Sequence, residues 1–179
     1  MSSGRESRRI NAVVVFSSRF GTTEKIARSL EKGLREANAE TTCTDVQGLA
    51  PESLRGYDLV CIGGPTEMFS ASAPMKKFLK ATKETDLSGK LGFAFDTKLD
   101  SRLSGSAAKY IEHALDDLGA HIVAPRESAI VTNQKTGKQI TGATLKQGEE
   151  DRFEKLGLRV GAMAAEEWTE LNLADERQA

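Results

Sequence analysis

Residues 12–30 read Ala12-Val13-Val14-Val15-Phe16-Ser17-Ser18-Arg19-Phe20-Gly21-Thr22-Thr23-Glu24-Lys25-Ile26-Ala27-Arg28-Ser29-Leu30. The first five form a short, continuous β-branched run, the pattern of a strand buried on both faces. The period then changes. Ile26, Ala27, Leu30, Leu34 and Ala37 recur at three- and four-residue spacing, which predicts an amphipathic helix over 23–37. Between the two lies a seven-residue turn, Ser17–Thr23, with four hydroxyls and one glycine.

The same alternation continues along the chain. Thr41–Val46 reads as a weaker strand. Tyr57–Ile62 reads as a buried one, ended by Gly63-Gly64-Pro65. Ser72 and Pro74 open a helix with Met75, Phe78, Leu79 and Thr82 on its inner stripe. Leu91–Phe95 is the next buried strand. Leu103, Ala107, Ile111, Ala114, Leu115 and Leu118 make a helical stripe stopped by Gly119. His121–Val131 reads as a last strand, broken around Pro125, and 132–148 as an irregular surface excursion. Glu149, Glu150 and Asp151 suit a helix N-terminus. Phe153, Leu156, Val160, Met163, Ala164 and Trp168 give that helix its buried face. Strands separated by whole helices cannot be hairpins. The expectation is therefore an α/β three-layer sandwich of five parallel strands and five helices. It fills one domain over 10–170, with a disordered arm at 1–9 and a frayed tail at 171–179.

Composition narrows the function. The chain has 179 residues, 39% apolar and 28% charged, with 25 Lys plus Arg against 26 Asp plus Glu for a net charge of −1. This is a globular composition with no basic field for nucleic acid or an anionic membrane. No apolar run approaches the ~20 residues of a membrane span. The N-terminal Ser/Arg-rich segment lacks the apolar core of a signal peptide. Cys43 and Cys61 form no CxxC pair, and His113 and His121 complete no zinc spacing, so neither a metal nor a disulfide is expected. A reducing, cytoplasmic setting fits.

In a parallel α/β sheet, ligands bind beyond the carboxyl ends of the strands. The turn Ser17–Thr23 occupies such an end and leads into a helix N-terminus, where unpaired N–H groups and the helix dipole suit a phosphate. A turn whose hydroxyls merely cap the helix is an equal reading of the same residues. Other phosphate motifs fail. A dinucleotide fingerprint needs three spaced glycines, and only Gly21 is present. Neither Gly89-Lys90-Leu91 nor Gly137-Lys138-Gln139 completes a P-loop. A phosphoryl-accepting receiver would place acids where Ser17-Ser18 and Gly63-Gly64 stand. No arginine follows either cysteine at phosphatase spacing.

The stretch from Val14 to Leu30 resembles the flavodoxin signature at every fixed position, including Phe16, Ser18, Gly21, Thr23, Ala27 and Leu30. The likeness extends over about residues 10–170, because Tyr57-Asp58-Leu59-Val60 and Gly63-Gly64-Pro65-Thr66 fall where flavodoxins place their second cofactor loop. The resemblance implies strand order 2-1-3-4-5 and FMN as cofactor. It implies that Ser18, Thr22 and Thr23 offer hydroxyls to the FMN phosphate and Phe20 and Gly21 offer amides, with Arg19 beside them and solvated. Pro65, Thr66, Glu67, Met68 and Phe69 would flank the inner face of the flavin, with Met68 or Phe69 covering the ring. Phe69 packing under the next helix is the competing reading. Asp96, Thr97 and Lys98 would open a third loop whose backbone meets the pyrimidine edge. Flavodoxins often stack a tyrosine there; this chain has none, which implies a more open flavin. Lys98 and Arg102 would favour the anionic, reduced cofactor.

No catalytic side chain is evident. His113, His121, Cys61 and Trp168 read as structural. The resemblance then implies an electron carrier working between a reductase and an acceptor protein. The alternative is an FMN-dependent oxidoreductase passing electrons from NAD(P)H to a quinone or similar small oxidant. A charge of −1 is less acidic than is usual for carriers of this family, and no nicotinamide site is recognisable. The carrier reading leads narrowly.

Overall fold

The computed structural model describes residues 8–178. Its strands are β1 (Asn11–Phe16), β2 (Glu40–Asp45), β3 (Leu59–Glu67), β4 (Ser70–Ala71), β5 (Leu91–Leu99), β6 (His121–Ile122), β7 (Glu127–Thr136) and β8 (Gln139–Leu145). Its α-helices are α1 (Thr22–Glu36), α2 (Ala73–Ala81), α3 (Ala107–Asp117) and α4 (Glu149–Gln178). The main sheet runs β2-β1-β3-β5-β7-β8 and is parallel up to β7, so the five expected strands stand in the order 2-1-3-4-5. β6 and β7 together are the fifth strand, with the interruption at Pro125 between them.

The layers follow from side-chain alternation. In β1, Ala12, Val14 and Phe16 face a core shared with α1 and α4, including Ile26, Leu30, Phe153 and Val160. Val13 and Val15 face the other core, shared with Met75, Phe78, Ile111 and Leu115 of α2 and α3. A strand covered on both sides needs apolar residues at consecutive positions, hence the unbroken run. The α1–α4 contact is unusually close: a Cβ on Gly33 would lie 1.9 Å from the Glu154 carbonyl oxygen, and one on Gly157 2.3 Å from that of Leu30.

Several elements differ from expectation. Among the described residues there are four α-helices rather than five. The β2–β3 connection holds only a 3-10 turn, Pro51–Gly56, too short to bury an amphipathic stripe. Gly63-Gly64-Pro65 does not end β3. The strand continues to Glu67, because Gly63 leaves room for the Phe95 ring, which a Cβ would meet at 2.1 Å. Residues 96–98 belong to β5 rather than to a loop. Leu103 is not in the α3 stripe: α3 starts after Ser106, whose hydroxyl accepts from the Lys109 N–H as its cap. Residues 132–148 are mostly ordered as the β7–β8 hairpin, closed between Thr136 and Gln139 across Gly137 at φ 63°.

At the ends, residues 171–178 continue α4 to Gln178 rather than forming a separate tail. Residues 1–7 of the expected arm lie outside the described residues. Arg8 is not part of a loose arm: its guanidinium reaches both oxygens of the buried Asp58 at 3.2 and 3.3 Å.

Candidate functional site

At the carboxyl ends of β1, β3 and β5 lies a cleft of about 420 Å³, well within the range that holds a cofactor-sized molecule. It brings together Arg19, Phe20, Thr22 and Thr23 from the β1–α1 turn, Pro65, Thr66, Glu67, Met68 and Phe69 from the end of β3 and its hairpin, and Thr97 and Lys98 from β5. Ser18 instead lines an adjoining hollow of about 340 Å³, between the first turn and Asp45–Gln47.

The first turn is built to leave helix donors open. Gly21 takes φ 85°, a left-handed conformation that costs glycine nothing, and no side chain caps α1. The Gly21 N–H donates to Ser18 Oγ at 3.0 Å, which tightens the turn upon itself. Ser18 Oγ is the acceptor in this bond, and its O–H remains free to donate. Thr23 is tied across the sheet. Its Oγ1 lies 2.8 Å from Thr97 Oγ1 in a buried pair that ties α1 to β5. Thr22, still at the cleft wall, and the N–H groups of the first helical turn are left to receive an anion.

The second segment is strained. Thr66↔Ala71 and Glu67↔Ser70 pair antiparallel across a two-residue turn, in which Met68 has φ 46° and Phe69 φ 70°. Two left-handed angles in succession define the primed turn that Asn-Gly normally occupies. Side chains there cost about 1–2 kcal/mol each. The turn is held by the β3–β4 pairing and by a bridge from Phe69 to Gly105, itself at φ 72°. Both side chains project at the cleft mouth and are largely exposed, so Phe69 does not pack beneath the next helix.

The third segment corrects an expectation. Asp96 does not line the cleft. Its fully buried carboxylate accepts from Thr66 Oγ1 at 3.1 Å, Ser106 Oγ at 2.8 Å and the Ala108 N–H at 2.9 Å, all at Oδ2. It fastens the end of β3 to the start of α3. Asp96 and Thr97 sit in register with both β3 and β7. Of the loop expected to meet the flavin's pyrimidine edge, these two residues therefore belong to the sheet. The free loop begins after Leu99.

Leu99, within the expected third loop, also lines the cleft, and five further lining residues escaped the sequence reading: Ser104, Val131, Asn133, Ile140 and Ala143. The last four come from the β7–β8 hairpin, which stands beside the cleft as an extra wall. Their signal is present in the sequence. Val131 and Asn133 alternate along one strand face, and Gly137-Lys138 forms a two-residue turn between β-branched segments. The base of the hairpin is clamped to α4. Glu149 accepts from the Ile130 N–H at 3.0 Å and from Arg152 at 2.7 Å, while Arg152 also reaches Glu127 at 3.1 Å and the Ser128 carbonyl. Burial pushes the Glu149 carboxyl up, but Arg152 and the Ile130 N–H outweigh it and hold it below its ordinary value.

A phosphate-bearing planar cofactor fits this arrangement: an uncapped helix start, an apolar slot walled by Phe69, Leu99 and Ile140, and a cation at its side, Lys98, with no ion-pair partner among the described residues. No group of three or more His, Cys, Asp or Glu side chains suited to a metal occurs among the described residues.

The chain matches the flavodoxin domain family over residues 13–169. It is 29% identical over 148 residues to flavodoxin 1 of Salmonella typhimurium, covering 81% of this chain and 79% of that one. It is 33% identical over 85 residues to a flavodoxin of Clostridium saccharobutylicum, spanning 47% of this chain and about half, 53%, of that relative. Among solved structures, oxidised flavodoxin 1 of Bacillus cereus superposes with a TM-score of 0.70 at 20% identity, over 84% of this chain and 96% of that one. A signature turn, a sheet order and a cleft that agree over nearly the whole domain lead to one conclusion: the chain belongs to the flavodoxin family.

Proposed function

We propose that this flavodoxin holds FMN in the cleft and carries electrons between a reductase and an acceptor protein. The observation that carries the reading is the uncapped start of α1 behind a left-handed Gly21, opening onto a cleft with apolar walls. When bound, FMN supplies the redox chemistry. The chain supplies everything else. Thr22 and the first-turn N–H groups receive the phosphate. Met68 and Phe69 cover one side of the slot and Ile140 and Val131 close another, which excludes water. Lys98, with no ion-pair partner among the described residues, favours negative charge in the slot. Exposed apolar side chains at the mouth suit exchange with another protein. The same reading places the chain in the cytoplasm: Cys43 and Cys61 are free thiols, which suits a reducing compartment. No helix among the described residues is long and apolar enough to cross a membrane.

The test is to add FMN to the purified protein, identify the retained cofactor by mass and follow reduction anaerobically. A carrier takes up FMN, stays oxidised with NADPH alone and bleaches only when a separate flavoprotein reductase is added. Failure to retain FMN defeats the reading. Rapid bleaching by NADPH alone, followed by quinone reduction, replaces the carrier with the oxidoreductase.

A further inference from the structure

We infer that Asn133, on the cleft face of the β7–β8 hairpin, recognises the polar edge of the cofactor ring, its carboxamide pairing with the cyclic imide. The inference rests on the FMN reading of the cleft. It adds a ring-recognising residue on an element outside the three segments that the family resemblance points to.

The hairpin sorts its side chains by face. Thr132↔Thr144 and Gln134↔Gly142 pair on one face, Val131↔Leu145 and Asn133↔Ala143 on the other. The first face is polar and open. Thr132, Gln134 and Thr144 are exposed, and Gln134 Nε2 donates to Thr144 Oγ1 at 3.0 Å. The second turns to the cleft, which Val131, Asn133 and Ala143 line. A bulge between Gln134 and Lys135 leaves Thr141 unpaired and brings Ile140 round to this same face. Of the four hairpin side chains in the cleft, three are therefore apolar and one is an amide.

Nothing in the folding of the hairpin asks for that amide. Asn is depleted in strands, and a position opposite Ala143 on an apolar face favours a β-branched residue. An Asn serving only solvent would stand with Thr132 and Gln134 on the outer face. Asn133 is half-buried, and the hairpin's side-chain hydrogen bonds, Gln134 to Thr144 and Thr136 to Thr141, do not include it. One edge of a flavin is a cyclic imide, an N–H between two carbonyl oxygens. A carboxamide holds an acceptor and two donors in one plane, so it can accept from the imide N–H and donate to an adjacent oxygen together. A hydroxyl has a single hydrogen and a carboxylate has none. The small Ala143 opposite leaves the amide room, and apolar neighbours raise the cost of leaving these groups unpaired once a ring displaces water.

The test compares FMN with FMN methylated at the imide nitrogen, which has no N–H to donate. Apoprotein is titrated with each, and flavin fluorescence is followed. The wild type is expected to hold FMN about tenfold more tightly than the methylated form. Asn133→Val is expected to bind FMN about tenfold more weakly and to lose the preference. Its apoprotein is expected to melt no lower than the wild type, since valine suits a strand. The same preference in both proteins, or none in either, overturns the inference and leaves the FMN reading intact. A lower melting point for Asn133→Val assigns the amide to the hairpin's own stability and overturns it too. A wild type that binds neither flavin defeats both readings together.

A second readout is independent of affinity. In spectra of the ¹⁵N-labelled protein, the side-chain NH2 pair of Asn133 is identified by its absence from the variant. It is expected to shift and to exchange more slowly with riboflavin, which carries the ring without the phosphate, and to stay in place with inorganic phosphate. A response to phosphate, or none to riboflavin, overturns the proposal.

Discussion

Thr22 and Thr23 are adjacent residues of one type, and the fold gives them different partners. Thr23 Oγ1 is paired with Thr97 inside the protein, whereas Thr22 stands at the cleft wall and its hydroxyl makes no side-chain hydrogen bond among the described residues. Thr22→Ala is expected to weaken FMN about tenfold, with thermal stability unchanged, as read by flavin fluorescence titration. Thr23→Val strands the Thr97 hydroxyl in a buried site. It is expected to cost about 1–3 kcal/mol of folding stability in urea unfolding, with a smaller effect on FMN. The hydroxyls were legible in the sequence as a group. Their division was not, because Thr97 lies 74 positions away and only the sheet brings it near. Asp96 shows the same limit: its place after a buried strand suggests a ligand loop, but donors from Thr66, Ser106 and Ala108 make it a fastener.

At the scale of elements, periodicity found the buried strands and most of each α-helix's inner face, although Met163, expected on the buried face of α4, is exposed and Leu103 lies outside α3. It missed what depends on contact between elements. Gly33 and Gly157 look like flaws in two helical stripes until the helices are packed; each then sits against the backbone of the other helix. Gly157→Ala places a methyl group against the Leu30 carbonyl, and the backbone cannot yield as a side chain would. A loss on the order of 3 kcal/mol is expected in chemical denaturation. The hairpin escaped because its polar outer face reads as a loop, while its order comes from pairing with β5 and from the Arg152 clamp. Glu149 is held below its ordinary value of 4.5, so its contribution is complete above that pH and is lost as pH falls further. The Ile130 amide shift is expected to follow this titration in the wild type. In Arg152→Ala the midpoint rises and the hairpin amides exchange faster.

For the whole molecule, Cys61 is fully buried in the layered core and Cys43 is half-buried against it. Burial pushes the Cys43 thiol up from 9.0 to about 12, and pushes that of the fully buried Cys61 higher still. Both remain neutral in the folded state through the physiological range. Their contribution to stability is complete below about pH 9 and is lost as pH rises towards 12, because the unfolded chain ionises first. Iodoacetamide at pH 8 is expected to leave both cysteines unmodified until denaturant is added, and the melting temperature is expected to be the same with and without reductant. Rapid labelling of the folded protein would contradict this burial.

What the residues dictated alone was the class of fold and a turn whose chemistry suits an anion or a helix cap; the sheet order came with the family resemblance. The first two are local in origin: apolar period, a glycine free to turn left-handed, and donors left over at a helix start. What only the tertiary structure decided was that Thr23 pairs with Thr97 while Thr22 stands at the cleft wall, that Asp96 turns away from the cleft, and that residues 132–148 become a wall. These depend on distances between residues far apart in the chain. Those distances are set by how both faces of one sheet are covered, and no window of sequence records them.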